Sequence, residues 1–180
     1  GLKVPDDVTL TWVDDNHGFI RQMPTDAEQA RSGSNGIYYH ISYWGSPQDY
    51  LWLSSIGPSQ ISYELTRGYQ QGIQRLWIIN VGDIKPAEAE LEFCMDLAWD
   101  IQAWGPVKAA RWSREWAAKT FGNNVADEIG AIKQEYYRLA AAGKPEHVSF
   151  VTYTNDEINQ RIAGYLAIAD RVEAVRGCIR

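Results

Sequence analysis

The sequence predicts an α/β fold in which parallel strands come first and helices follow. Three observations carry it. β-branched and aromatic runs separated by turn residues fill the first half of the 180-residue chain. One of them, Leu76-Trp77-Ile78-Ile79-Asn80-Val81, is nearly apolar throughout, the pattern of a strand covered on both faces, as in parallel sheets. Beyond Gly105-Pro106 the apolar positions recur at helical spacing.

The elements follow in order. Val8-Thr9-Leu10-Thr11-Trp12-Val13 reads as a strand that stops at Asp14-Asp15-Asn16. A connection with Pro24 and the turn residues Gly33-Ser34-Asn35-Gly36 comes next; it reads as a loop, with a helix not decided by the pattern. Ile37–Tyr43 is a second strand, closed by Trp44-Gly45-Ser46-Pro47. Residues 58–71 are helical, with Ile61, Leu65 and Tyr69 four apart and Ser59 near the start. A short turn at Gly72 leads into the third strand, so strand, helix and strand form a βαβ unit. Helices are then expected over 86–102, opened by Pro86; over 107–121, ended by Gly122; and over 124–142, ended by Gly143-Lys144-Pro145. Asn155 reads as the cap of a last helix with Ile158, Ile162, Tyr165 and Val172 on one face.

Composition narrows the function. Hydrophobic residues at 45% and charged residues at 22% describe a globular chain rather than a disordered one. A net charge of −6 removes the electrostatic term that drives nucleic-acid binding, so no nucleic-acid partner is expected. No apolar run is long enough to span a membrane, and GLKVPDD has no signal-peptide pattern. Cys94 and Cys178 have neither disulfide-framework nor metal-ligand spacing; both are expected as free thiols, with no metal and no cofactor. The 8 Trp and 10 Tyr are enough both to pack a core and to stack on a sugar.

The polar groups collect where the strands end. The first strand runs into Asp14-Asp15-Asn16-His17-Gly18, with Arg21 close behind; the second carries His40 and ends in Tyr43-Trp44; the third ends in Asn80-Val81-Gly82-Asp83-Ile84-Lys85. Parallel strands bring such ends to one rim. Carboxylates for acid and base, with rings against an apolar sugar face, suit the binding and hydrolysis of a polar sugar. Each cluster also has a plainer reading: Asp14-Asp15-Asn16 as a turn, Asp83 as a cap, His40 as a hydrogen-bonded core residue. P-loop, GxGxxG, HExxH and GxSxG patterns are absent from the sequence.

The strings from Tyr38 to Leu53 and from Leu76 to Pro86, together with Trp12-Val13-Asp14-Asp15-Asn16-His17-Gly18, resemble glycoside hydrolase family 115, the xylan α-glucuronidases. Gly143-Lys144-Pro145-Glu146 is similar to a later family string, with Gly143 in place of an Arg. The resemblance implies a segment of a large inverting enzyme that removes α-1,2-linked glucuronic acid, or its 4-O-methyl ether, from xylan. Residues 1–103 would be the C-terminal part of a (β/α)8 barrel with three parallel strands, and 104–180 an α-helical bundle; Gly1 would be a cloning remnant. It further implies glucuronoxylan or aldouronic acids as partners, secretion or a periplasmic location, and allows a homodimeric parent enzyme. Asp14 or Asp15 would supply one carboxylate of the inverting pair; its partner would be Asp83, Glu64 or a residue outside the chain. Asn80 would hydrogen-bond the sugar, and Asn16, His40 and Asp83 would join it in binding. Arg21 or Lys85 would pair with the sugar carboxylate, and Tyr43 and Trp44 would form the wall. Two other functions stay open: a non-catalytic carbohydrate-binding relative and a helical dimerisation module.

Overall fold

The computed structural model describes residues 3–43, 45, 54–145 and 152–179. Three strands, β1 (Leu10–Val13), β2 (Asn35–His40) and β3 (Ile73–Asn80), form one sheet in the order β1-β2-β3, and both pairings are parallel. The connection from β1 to β2 holds a one-turn helix, α1 (Asp26–Gln29), closed by a capping box between Thr25 and Glu28. β2 and β3 are joined through α2 (Pro58–Gln70), the expected crossover, with Pro58 in its first turn. A 3-10 turn at Lys85–Ala87 leads into α3 (Glu88–Trp99), and α4 (Ala109–Phe121), α5 (Ala126–Ala142) and α6 (Asn155–Arg176) complete the chain. Parallel strands followed by helices is therefore the fold, as expected. Among the described residues no helix is long and apolar enough to cross a membrane.

Three local expectations change. β2 begins at Asn35, so Asn35 and Gly36 are strand rather than turn. Asn35 is fully buried and stitches the layers: its Oδ1 accepts from Trp12 Nε1 at 2.9 Å and its Nδ2 donates to the Glu28 carbonyl at 3.1 Å. The strand covered on both faces is β2, not β3. β3 is an outer strand, and Leu76 and Ile78 are 45% and 41% exposed. The cap of α6 is Thr154: its hydroxyl accepts from Glu157 N–H at 3.3 Å, and Glu157 Oε2 accepts from Thr154 N–H at 2.7 Å. Asn155 is already the first helical residue.

The register sorts the sheet into two faces. Residues paired across parallel strands point the same way, so Trp12, Ile37 and Trp77 share one face, and Val13, Tyr38 and Ile78 share the other. The first face is the core: Ile37, Tyr39 and Ile41 pack with Ile61, Leu65, Phe93, Cys94 and Leu97, and Trp12, Trp77 and Ile79 lean on that cluster. The second face carries the exposed Val13, Leu76 and Ile78 along the strands, with His40 and Asn80 paired at its end. α4 joins this core to a second cluster: Trp112 belongs to the first, while Ala117 packs with Val125, Ile129, Ile132 and Val175. Cys94 is buried and Cys178 exposed, both unbridged as predicted.

Candidate active site

β1 ends at Val13, and the next two carboxylates fold the chain around themselves. Asp14 accepts the N–H groups of Asn16 and Gly18, each at 3.1 Å. Asp15 accepts those of His17 and Phe19, also at 3.1 Å. The loop needs left-handed backbone at Asn16 (φ 71°) and Gly18 (φ 83°). Asn tolerates that region among side-chain-bearing residues, and glycine enters it freely. At Gly18 a Cβ would lie 2.8 Å from Gln60 Nε2 and 3.0 Å from Tyr39 Oη, so only glycine fits. The Gly18 carbonyl in turn accepts from Tyr39 Oη at 2.9 Å. Burial among the Cys94, Asp14, Glu64 and Asp15 groups holds the Tyr39 hydroxyl well above the usual phenol range, so it stays a donor.

The carboxylates part in environment. Asp14 is buried and reaches β2: its Oδ2 accepts His40 N–H at 3.0 Å and its Oδ1 lies 2.6 Å from His40 Nδ1. Asp15 is partly exposed and paired with Arg21, whose Nε and Nη2 lie 2.9 and 2.7 Å from Oδ2. Burial raises the Asp15 pKa, but the Phe19 N–H, Arg21 and the His17 N–H outweigh it and hold the carboxyl below its usual range.

Aromatic groups surround His40. The rings of Tyr38 and Tyr43 meet it edge-on at 4.9 and 5.4 Å, and Tyr43 also meets His17 at 5.9 Å. From β3, Asn80 Nδ2 donates to Tyr38 Oη at 2.8 Å, and Asn80 Oδ1 accepts Gly82 N–H at 3.2 Å. Asp14, Asn16, His40, Tyr43 and Asn80 thus share one rim, reached from three parallel strand ends.

The other candidates stand apart. Arg21 is held by Asp15, and Lys85 pairs with Glu88 at 3.1 Å on the 3-10 turn. Asp83 is exposed in the turn after β3. Glu64 is buried on α2, where it accepts Ile20 N–H at 3.0 Å and pairs with Arg67 at 2.7 Å. Trp44 lies outside the described residues. Tyr38 and His17 escaped the sequence reading. Tyr38 carried a signal, standing two residues before His40 on the same strand face. Among the described residues no group of three or more His, Cys, Asp and Glu side chains is set to hold a metal ion.

A carboxylate, two amides and aromatic rings meet at the parallel strand ends, and the chain belongs to glycosyl hydrolase family 115, whose family model matches residues 1–147. Among solved structures it is similar to BtGH115A, described as a novel family GH115 4-O-methyl-alpha-glucuronidase with specificity for decorated arabinogalactans. That match has a TM-score of 0.93 and 41% identity. It covers 100% of this chain and 26% of BtGH115A, so the chain spans about a quarter of that structure. A search of the curated proteins gives no match.

Proposed function

We propose that the protein carrying these residues removes α-1,2-linked glucuronic acid, or its 4-O-methyl ether, from xylan with inversion at the anomeric carbon. The observation that carries this reading is the convergence of Asp14, His40, Tyr43 and Asn80 at the ends of three parallel strands in a chain of this family. Inversion needs one carboxylic acid at the leaving oxygen and one carboxylate at a water, roughly 6.5–9.5 Å apart. The Asp14-Asp15 motif supplies one of them, and Asp83 or a residue beyond this chain supplies the other. Glu64 is the weaker partner, because its carboxylate is used by the Ile20 N–H and Arg67. Asn80 and Asn16 bind sugar hydroxyls, Tyr43 and Trp44 form the wall, and Arg21 or Lys85 exchanges its own carboxylate partner for that of the uronic acid.

The sheet face opposite the core supports placing residues 1–103 in a (β/α)8 barrel ahead of a helical bundle over 104–180. The apolar side chains of Val13, Leu76 and Ile78 on that face are what a barrel interior is built from. The reading also takes the parent enzyme as exported and acting on glucuronoxylan. Its test compares the full-length protein with this chain alone on aldouronic acids. The full-length protein should release glucuronic acid as the inverted anomer, seen by proton NMR of the first product, and the chain alone should release none. Release by the chain alone, or retention by the full-length protein, overturns it.

A further inference from the structure

We propose that Asp14 serves the reaction as a positioning residue: it holds the imidazole of His40 in one tautomer and one orientation, and is not itself a member of the inverting pair. This rests on the glycosidase reading above and leaves Asp15, whose side chain is 23% exposed and whose Oδ2 is freed when Arg21 turns to the substrate, as the motif's candidate for that pair.

An ionised carboxylate has about four lone-pair sites. At Asp14 all four face the chain: Oδ1 meets Asn16 N–H and His40 Nδ1, and Oδ2 meets Gly18 N–H and His40 N–H. The side chain has 0% exposed surface. A general acid must reach the glycosidic oxygen and a general base must touch the attacking water. Asp14 has no surface with which to do either.

What those oxygens do is orient. Three of the four partners are backbone N–H groups, which can only donate, so with Asp14 ionised the hydrogen of the 2.6 Å contact sits on His40 Nδ1. That choice leaves Nε2 as the nitrogen through which His40 meets any other group, and in the neutral ring it is an acceptor. The backbone bond from His40 N–H to the same carboxylate ties ring and main chain to one anchor. The edges of Tyr38 and Tyr43 limit rotation of the ring. The His40 side chain keeps 6% of its surface exposed where Asp14 keeps none, and a ring nitrogen whose tautomer is set by a buried carboxylate on the opposite nitrogen is held ready for proton transfer or for an oriented hydrogen bond from a sugar hydroxyl.

The test uses the full-length protein and two independent readouts. In protein labelled with nitrogen-15 histidine, the His40 signals, assigned by their loss in His40→Gln, should report a protonated Nδ1 and a bare Nε2. A proton on Nε2 instead overturns the proposal, and this measurement needs no change at position 14 and no activity. On aldouronic acids, Asp14→Asn and His40→Gln should each lower kcat by on the order of 10²-fold or more, with KM moved by less than about threefold. In the His40→Gln background, Asp14→Asn should cost less than about threefold further, because its effect passes through the ring. Losses that multiply instead show that Asp14 acts directly and sink the idea. A wild-type protein with no glucuronidase activity refutes the function proposed above, while the tautomer still decides this inference.

Discussion

Glu64 reaches back 44 positions to Ile20: its Oε2 accepts the Ile20 N–H at 3.0 Å, while Arg67 Nη2, 2.7 Å from the same oxygen, donates to the Ile20 carbonyl at 2.7 Å. Two side chains one turn apart on α2 thus satisfy both backbone groups of a residue that lies beyond the end of β1. Glu64→Ala should destabilise by about 1–3 kcal/mol, because it leaves the buried Ile20 N–H unsatisfied. Glu64→Gln should cost less, since its amide oxygen still accepts from Ile20. Hydrogen exchange at Ile20 should quicken at least about tenfold in the alanine variant; an unchanged rate shows that the brace holds nothing.

A second buried carboxylate joins the sheet's helices to those that follow. Glu90 on α3 is fully buried and accepts from Lys133 Nζ at 3.1 Å and from Tyr137 Oη, both on α5. Lys133→Met should cost about 3–5 kcal/mol, since it leaves a buried charge with less than its needed pairing. Adding Glu90→Leu should recover much of that loss, so thermal melting should rank wild type and the double variant above Lys133→Met. A single variant that melts with wild type contradicts the pairing.

How far the sequence reaches is clear from these residues. Parallel pairing and the α2 crossover were legible because hydrophobic period and turn residues are local signals. The coverage of β3 was not: an apolar run looks the same on an outer strand as on a central one, and β2 took the central place. At the site, the type and position of Asp14 and His40 could be read, but not the contact between them. That contact spans 26 positions and exists only through the β1–β2 register. Glu64 looked like a spare acid because nothing in its neighbours along the chain shows that its carboxylate is taken up by the backbone of a distant residue.

Gly18→Ala should damage the Asp14-Gly18 loop. It places a Cβ 2.8–3.0 Å from Gln60, Ile56 and Tyr39 at a φ of +83°. Strain of about 1–3 kcal/mol is expected, and the loop carries the donors to Asp14. Turnover of the full-length enzyme should fall with little change in its far-UV circular dichroism; full activity argues that the loop can relax.

Asp15 gives a signed pH dependence. Its folded pKa lies below the usual value, so the unfolded chain binds a proton first as pH falls. The stability from its loop bonds and Arg21 is complete above the unfolded value near 3.9 and is lost as pH falls through the folded one. Carbon-13 titration should put the Asp15 midpoint below the usual aspartate value, and Arg21→Gln should raise it. A midpoint unmoved by Arg21→Gln excludes the pair as a cause.

The cysteines should separate by reactivity. Burial pushes the Cys94 thiol far up, with Glu90 adding to it, while Cys178 is exposed. A thiol reagent should titrate one group in the native chain and a second only after denaturation. Two fast groups at once contradict the packing of α3.

The order β1-β2-β3 also decides how these residues behave when handled alone. β2 is hydrogen-bonded along both sides, whereas β1 and β3 each present one side without a strand partner among the described residues. On β3 that side is eight residues long, free of proline, and carries Arg75 as its one charge. Charged side chains and prolines are what keep sheet borders from recruiting strangers. β3 therefore lacks most of the protection, and its unpaired backbone groups are a template for whichever strand arrives first. On the barrel reading proposed above, that strand comes from the same chain within a longer polypeptide. For the isolated 180 residues it comes from a neighbouring copy, so association should rise with protein concentration and be relieved by a proline placed on the outer side of β3.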